Sequence, residues 1–390
     1  MEQQIKPVYS LGQLTKYFLR LGAIGFGGPV ALVGYMYRDL VENRKWISEE
    51  EYKQGLALAQ LAPGPLAAQL GIYLGFVHYR VLGATLAGLA FIMPSFIMVV
   101  ILGIAYRLYG GLPWMQAVFY GVGAAVIGII VMSCYKLTIK SIGKLDLQSL
   151  KDKYLLWLFF IVSATITVVT EREEVLLFVG AGILYTFIKA PPKWLTKKTA
   201  NTFVLLQIGF WDFEITTLGK IAVFFVKAGA FVFGSGLAIV PFLHSGVVVE
   251  HNWLTEQEFL DAVAVAMITP GPVVIAVGFI GYLVAGFPGA CVAAFATFLP
   301  CYLFTILPAP YFKKIAGNKS IKAFVDGITA AVIGALAGAV IVIVTRSIID
   351  IPTVLIATAS AFTLIYIKKI QEPYIILIAA LVGMVIKFWL

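Results

Sequence analysis

Four clusters of glycine and proline interrupt apolar stretches of this sequence, and their residue types suit the binding of an anion. They are Gly25-Phe26-Gly27-Gly28-Pro29, Pro63-Gly64-Pro65, Phe233-Gly234-Ser235-Gly236 and Pro270-Gly271-Pro272. Glycine and proline break helices, and proline favours the first position of the next helix. A helix that begins at a break exposes unpaired N–H groups with a partial positive charge, which suits an oxyanion. We therefore expect broken helices whose tips bind substrate; a kink that serves packing alone is the alternative.

Basic and polar side chains near the breaks complete the expected binding site. Arg20 and Lys227 stand at the same distance before the two Phe-Gly pairs. A cation inside an apolar segment is usually paired or functional, so we expect both to attract a dianion, with snorkelling to the membrane interface as the alternative. Polar residues that could donate to an oxyanion or bond a freed carbonyl are Gln60, Gln69, Ser95, Ser235, Thr269 and Thr297.

Three carboxylates are candidates for coupling transport to protons. Ser48-x-x-Glu51 and Thr255-x-x-Glu258 have the capping-box pattern, so helix capping is the main expectation for both glutamates. Asp261 lies one turn into the next apolar segment and is the better titratable candidate. The sequence contains no catalytic motif, P-loop or dinucleotide-binding glycine pattern, so we expect neither an enzyme nor a cofactor.

The composition requires membrane helices to position these residues. The 390 residues are 61% hydrophobic and 13% charged, whereas a soluble domain is nearer half apolar and a quarter charged. These values exclude a soluble enzyme, a disordered chain and a nucleic-acid-binding protein. The net charge of +9 lies mostly between apolar segments, where it fixes topology against anionic lipid. The three cysteines and three histidines lack the spacing of a metal site.

The apolar pattern predicts an all-α integral membrane protein with 10–12 transmembrane helices, some of them short or tilted. The apolar segments are 11–41, 54–79, 81–106, 114–139, 154–169, 175–189, 218–249, 259–284, 286–310, 323–348, 351–367 and 373–389.

An internal repeat divides the chain into two homologous domains, 1–200 and 201–390. Residues 18–77 align with 225–284 without a gap, and the alignment matches Trp46 with Trp253 and the two Pro-Gly-Pro motifs with each other. The basic loops fall at non-equivalent places in the two halves, which predicts inverted repeats with a substrate site where they meet. The second-half loop that carries this signal contains Lys313, Lys314, Lys319 and Lys322.

The ordered motifs resemble those of the chromate ion transporter family in its two-domain form. The first half carries FGGP, W-x-S-E-E-E and AQLAPGP, and the second carries FGSG, W-L-T-E-x-E-F and TPGP followed by FIGYLVAG. The resemblance covers residues 15–140 and 220–345 and implies a multi-pass protein of a prokaryotic cell membrane that exports chromate, in exchange for protons. It places the family's glycine–proline motifs on the four breaks.

The resemblance is incomplete at the first two breaks. Many members have a histidine where this chain has Leu32, and polar residues where it has Leu66, Ala67 and Ala68. Chromate and sulfate are similar tetrahedral dianions, so a sulfate carrier, including one for uptake, stays open. A passive anion channel and a membrane-embedded enzyme or structural partner are further alternatives. Besides lipid, a second copy of the chain is a compatible partner.

Overall fold

The chain is helical apart from one pair of two-residue strands, within the residues that the structure describes. The structure is a computed structural model, and it describes residues 8–26, 28–144, 146–172, 174–191, 216–231, 233–234, 236, 239–312, 318–348, 350–367, 370 and 372–389.

Within the described residues, seven helices of the first half have counterparts in the same order in the second half, whereas the two short strands lie at non-equivalent breaks. The first half contains α1 (Leu11–Ile24), α2 (Gly28–Met36), α3 (Glu49–Leu61), β1 (Gly64–Pro65), α4 (Leu66–Tyr109), α5 (Pro113–Ser141), α6 (Leu147–Asp152), α7 (Tyr154–Thr170) and α8 (Val175–Lys189). The second half contains α9 (Thr217–Ala230), β2 (Phe233–Gly234), α10 (Ile239–His244), α11 (Glu256–Ile268), α12 (Ala276–Ile306), α13 (Lys319–Ser347), α14 (Ile351–Tyr366) and α15 (Glu372–Trp389). Two π-helical turns, Tyr37–Asn43 and Ser245–Glu250, continue α2 and α10.

The predicted breaks divide the first two apolar segments of each half. In the first half, α1 ends at Ile24 before α2 begins at Gly28, and α3 ends at Leu61 before α4 begins at Leu66. Helix α3 has 13 residues, so it is only about 20 Å long at 1.5 Å per residue. That is shorter than a hydrocarbon core of about 30 Å, so α3 is too short to cross a membrane by itself.

Helices α4 and α12 each reverse direction inside their length. Arg80 leaves helical geometry at φ 52° in α4, and Gly286 does so at φ 63° in α12. A Cβ placed on Gly75 would lie 2.3 Å from the carbonyl oxygen of Gly83, which a straight helix could not bring so close. Each element is therefore a tight hairpin, and its two arms touch backbone to backbone.

Five helices are long and apolar enough to cross a membrane, within the described ranges. They cover residues 66–109, 113–141, 273–311, 319–347 and 372–389, and four shorter apolar helices accompany them. Large apolar side chains such as Leu176 and Phe295 are exposed at 83% and 69%, as expected for surfaces that face lipid. The chain is thus an all-α, multi-pass membrane protein. The number of full crossings and the inverted orientation of the halves stay predictions.

The outer helices pack against the opposite half of the chain. Helix α5 contacts α14 and α15, and α13 contacts α7 and α8. Glycines permit this close approach: a Cβ on Gly121 would lie 2.0 Å from the Ala379 carbonyl oxygen, and one on Gly334 would lie 2.2 Å from that of Phe160. The two sequence repeats therefore exchange their peripheral helix pairs.

Candidate functional site

The four breaks meet in two pairs, and each pair joins one half of the chain to the other. Strands β1 and β2 are parallel, with Gly64 opposite Phe233 and Pro65 opposite Gly234. At the equivalent place, the backbone N–H of Gly271 donates to the carbonyl oxygen of Gly25 over 2.9 Å. Each Pro-Gly-Pro motif is thus bonded to the glycine-rich break of the other repeat.

The two pairs belong to one continuous cluster, which we call the central break cluster and define by its described residues 25–26, 63–65, 233–234, 236 and 270–272. Gly236 connects the pairs, since a Cβ there would contact Val273, which follows Pro272. Residues 64–65 and 270–272 are buried. These two motifs therefore lie inside the protein at the contact between the repeats, where irregular backbone is tolerated in a membrane protein.

Side chains from the second arms of the hairpins support the cluster. Ser95 is fully buried and its hydroxyl donates to the carbonyl oxygen of Pro270 over 2.7 Å. Cys301 occupies the corresponding place beside Gly64, since a Cβ on that glycine would lie 3.2 Å from its sulfur atom. These residues satisfy or shield backbone groups that the breaks remove from helices.

Gln69 has an unused hydrogen-bonding atom at the first Pro-Gly-Pro motif. Its Nε2 donates to the carbonyl oxygen of Pro63 over 2.7 Å, and the residue is fully buried. Its Oε1 receives no hydrogen bond from any residue that the structure describes. Thr269, buried at the fourth break, donates to the carbonyl oxygen of Ala266. Both side chains therefore lie beside the cluster, and their role in substrate binding stays a prediction.

Other predicted residues lie outside the described contacts of the cluster. Gly27 and Ser235 are not among the described residues, and Gly28 and Pro29 are described only through the start of α2. Phe26 is exposed at 40%. Arg20 is exposed on α1, while Lys227 is exposed on α9 and lines a cavity with Lys220 and His251. The roles of both cations stay predictions.

Asp261 is a buried carboxylate between the two halves. It is 2% exposed in α11, and its Oδ2 accepts a 2.7 Å hydrogen bond from the hydroxyl of Tyr106 in α4. Its Oδ1 accepts a 2.8 Å hydrogen bond from Nε2 of Gln257. Both partners are neutral, so Asp261 could take up a proton without breaking an ion pair. Tyr106 could not be predicted as a partner of Asp261, because the two residues are distant along the chain.

Glu51 and Glu258 form the capping boxes that the sequence predicted. Each carboxylate accepts from the backbone N–H of the cap residue three positions earlier, Ser48 or Thr255. Glu51 also lies 3.4 Å from Nε2 of His78. The hydrogen bonds from His78 and then from Ser48 lower the pKa of Glu51 to about 2, against the opposing effect of burial. Capping accounts for both glutamates.

Comparison with protein families identifies one match that spans most of the chain. The family model described as "Chromate transporter" matches residues 12–186 and 219–384. The two matched segments correspond to the two repeats. No solved structure matches the chain.

Several curated proteins are similar along nearly their whole length. The chromate transport protein of Cupriavidus metallidurans is 62% identical over 384 residues, which cover 97% of this chain and 94% of that protein. The probable chromate transport protein of Synechococcus elongatus is 59% identical over 392 residues, with 99% and 97% covered. The chromate transport protein of Pseudomonas aeruginosa is 29% identical over 402 residues, with 98% and 94% covered.

Proposed function

Because this chain belongs to the chromate transporter family, we propose that it is a secondary transporter that exports chromate across the cell membrane of a prokaryote. The observation that carries the proposal is the pairing of the four breaks across the repeats. Broken helices at a repeat interface are a common plan for the substrate sites of secondary transporters. A related tetrahedral dianion such as sulfate would satisfy the same chemistry.

The central break cluster is the proposed substrate site. The first turns of α2, α4 and α12 begin at the breaks, and N–H groups there would face the oxygens of a bound dianion. Gly64 and Gly271, at φ 141° and 96°, allow the backbone to turn its N–H groups out of the helices. Since Gly64, Pro65 and residues 270–272 are buried, substrate entry would require the two repeats to move apart, as in alternating access.

Arg20 and Lys227 would attract the dianion toward the cluster. Both cations are exposed, each on the helix that leads into a glycine-rich break. An attraction of this kind acts at a distance and raises the local anion concentration without direct contact.

The membrane potential favours the outward direction. Moving one charge across 100 mV is worth about 2.3 kcal/mol, so a dianion that leaves a negative interior gains about 4.6 kcal/mol. Exchange for one entering proton would add about 2.3 kcal/mol more. Export therefore needs less coupling than uptake, which would have to work against the same potential.

Asp261 is the residue that we propose for proton coupling. It is buried in the second half and accepts a hydrogen bond from Tyr106 of the first half. Neither of its two hydrogen-bond donors is charged. Movement of the repeats would change this contact and with it the affinity of the carboxylate for a proton. Glu51 and Glu258 are weaker candidates because their oxygens cap helices.

Flux measurements in liposomes test this proposal. The wild-type protein should release loaded chromate faster when protons can enter in exchange. In Asp261→Asn this proton-driven flux should be about tenfold lower, while the exchange of chromate for chromate should be retained. Asp152→Asn, at the exposed end of α6, is the matched control. Flux that never saturates, shows no counterflow and ignores pH would indicate a passive channel and contradict the proposal. Sulfate in place of chromate measures selectivity.

A further inference from the structure

We propose that a second oxyanion site, distinct from the central break cluster, lies in a cavity formed by Lys220, Lys227 and His251. We call it the α9 cavity; its ligand is a tetrahedral dianion. The ligand class rests on the proposed function, but the cavity is argued from its own residues. It lies beside α9 and the end of the π-helical turn Ser245–Glu250, and no described residue of the central break cluster lines it.

The size and charge of the α9 cavity suit a small anion. Its volume is about 190 Å³, several times the roughly 30 Å³ that one water molecule occupies in the liquid. Lys220 and Lys227 are two turns apart on α9, so both side chains lie on the same face of the helix. Glu250 also lines the cavity, and the charges sum to +1 with a neutral histidine and +2 with a protonated one.

His251 is the titratable member of this group. Its ring stacks on Trp253 at a centroid distance of 4.4 Å and meets Phe224 edge to face at 5.8 Å. Burial lowers the pKa of His251, the charge of Glu250 raises it, and the charges of Lys220 and Lys227 lower it further. The remaining walls, from α8 and α10, contribute Val175 and Phe242, which carry no charge.

The first repeat has a cation at the same place as His251. In the gapless alignment, Arg44 corresponds to His251 and Trp46 to Trp253, and Tyr17, one residue before the aligned range, corresponds at the same offset to Phe224. The guanidinium carbon of Arg44 lies 4.6 Å from the ring centroid of Trp46 and 5.6 Å from that of Tyr17. Both repeats therefore hold a basic group against two aromatic rings, with a permanent charge in the first and a titratable one in the second.

This difference makes the α9 cavity pH-dependent. A bound dianion favours protonated His251, and by linkage protonation of His251 strengthens dianion binding to the same extent. Affinity should therefore be high below the pKa of the histidine and fall as the pH rises through it. The equivalent group in the first repeat, Arg44, would not change its charge over this range.

Sulfate binding to the full-length protein, measured by calorimetry in neutral detergent, tests the site. Sulfate is the probe because its charge does not change near neutral pH. Lys220→Gln should weaken binding by about tenfold, the equivalent of 1.4 kcal/mol for a lost charge-assisted contact. Lys140→Gln, at the exposed end of α5, is the matched control and should bind as the wild type does. Lys220 is exposed, so its replacement removes no buried contact.

His251→Arg separates the pH effect from the presence of a cation. The variant recreates the residue found at the equivalent place in the first repeat, so it should bind sulfate tightly at both about pH 5.5 and about pH 8. The wild type should bind more weakly at the higher pH. Unchanged affinity in Lys220→Gln, or the wild-type pH dependence in His251→Arg, would overturn the proposal.

Transport kinetics distinguish failure of this site from failure of the proposed function. If the α9 cavity feeds the central break cluster, Lys220→Gln should raise KM for chromate by about tenfold with kcat close to the wild-type value. A wild-type protein that transports neither chromate nor sulfate would refute the proposed function, whereas the binding measurement would still decide the cavity.

The phosphomonoester headgroup of phosphatidic acid is a tetrahedral anion like free sulfate, so it is a second source of the same ligand chemistry. Adding phosphatidic acid to the micelles should weaken sulfate binding in the wild type if the headgroup competes for the cavity, and phosphatidylcholine should not. Competition that disappears in Lys220→Gln would support a headgroup as the occupant of the site. An effect of equal size in both proteins would place the lipid elsewhere and support the free anion as the occupant.

Discussion

Glycine at the breaks leaves no room for a side chain. A Cβ on Gly271 would lie 2.0 Å from Oγ of Ser95, and the residue has a φ of 96°. A non-glycine residue in this region costs about 1–2 kcal/mol before any clash is counted. The displaced hydroxyl would also lose its hydrogen bond to Pro270. We therefore expect Gly271→Ala to disturb the fourth break directly.

The prediction for Gly271→Ala is tested by measuring chromate flux in liposomes and the thermal unfolding of the same variant. Gly271→Ala should lower the flux by at least about tenfold. Ser95→Ala in the same chain should restore part of the loss, because it removes the atom that the new Cβ meets. Gly34→Ala is the matched control, since a Cβ there meets nothing within 4 Å. Wild-type flux in Gly271→Ala would contradict a role for this break.

The sequence predicted the breaks in the helices but not which breaks would meet. The residue types of Pro63-Gly64-Pro65 and its repeat were sufficient to predict broken helices. That each of them pairs with the glycine-rich break of the other repeat depends on contacts between distant residues, such as Gly271 with Gly25. Ser95 was one of six polar candidates, and only the fold singles it out. Cys301 had no signal beyond its apolar surroundings.

At the scale of elements, the turn of each hairpin, α4 and α12, requires one residue with a positive φ. The boundaries of the apolar segments correctly placed the ends of the arms near residues 80 and 285. The close contact between the arms was not predicted, because Gly75 and Gly83 follow no pattern specific to a hairpin. Gly286 takes φ 63° at the turn of α12, while Arg80 takes φ 52° in α4.

Replacing the glycine at the second turn should destabilise the protein through the backbone alone. A Cβ on Gly286 would have only Pro288 near it, at 4.0 Å, so Gly286→Ala introduces no clash. The cost is that of a side chain at φ 63° and ψ −156°, a region that essentially only glycine occupies, and it amounts to about 1–3 kcal/mol. It should appear as a lower midpoint of thermal unfolding in detergent. Gly180→Ala, in an open position on α8, should leave the midpoint equal or higher. An unchanged midpoint in Gly286→Ala would show that the turn carries no strain.

At the scale of the whole molecule, the repeats are units of sequence but not of packing. The alignment of the two halves predicted the repeat, and the family model matches each half separately. The partner helices of α5 and α13 were not predicted, because the close contacts at Gly121 and Gly334 join residues that are distant along the chain. The structure shows that α5 contacts α14 and α15, and that α13 contacts α7 and α8. Each half therefore supplies two helices that cover the other half.

Further side-chain contacts join the halves along the same boundary. The hydroxyl of Tyr120 donates to Oδ2 of Asp350 over 2.6 Å, and the hydroxyls of Thr85 and Tyr302 lie 2.7 Å apart. Arg346 forms an ion pair with Glu171. Either half alone would lack the partners of these hydrogen bonds and of this ion pair. Its helix faces that pack closely against the other half would also be exposed.

The exchange of helix pairs predicts how a divided chain will behave. Residues 1–200 and 201–390, expressed as separate polypeptides, should each fail to give a monodisperse protein, because α5 lacks α14 and α15 in one and α13 lacks α7 and α8 in the other. Co-expressed, the two pieces should purify together and restore chromate flux, since every exchanged contact can then form. A chain divided between Ile333 and Gly334, inside α13, is the control and should not be restored, because the cut falls where that helix contacts Phe160 of α7. Stable, monodisperse behaviour of either half alone would show that the exchanged contacts are dispensable and that the repeats are independent domains.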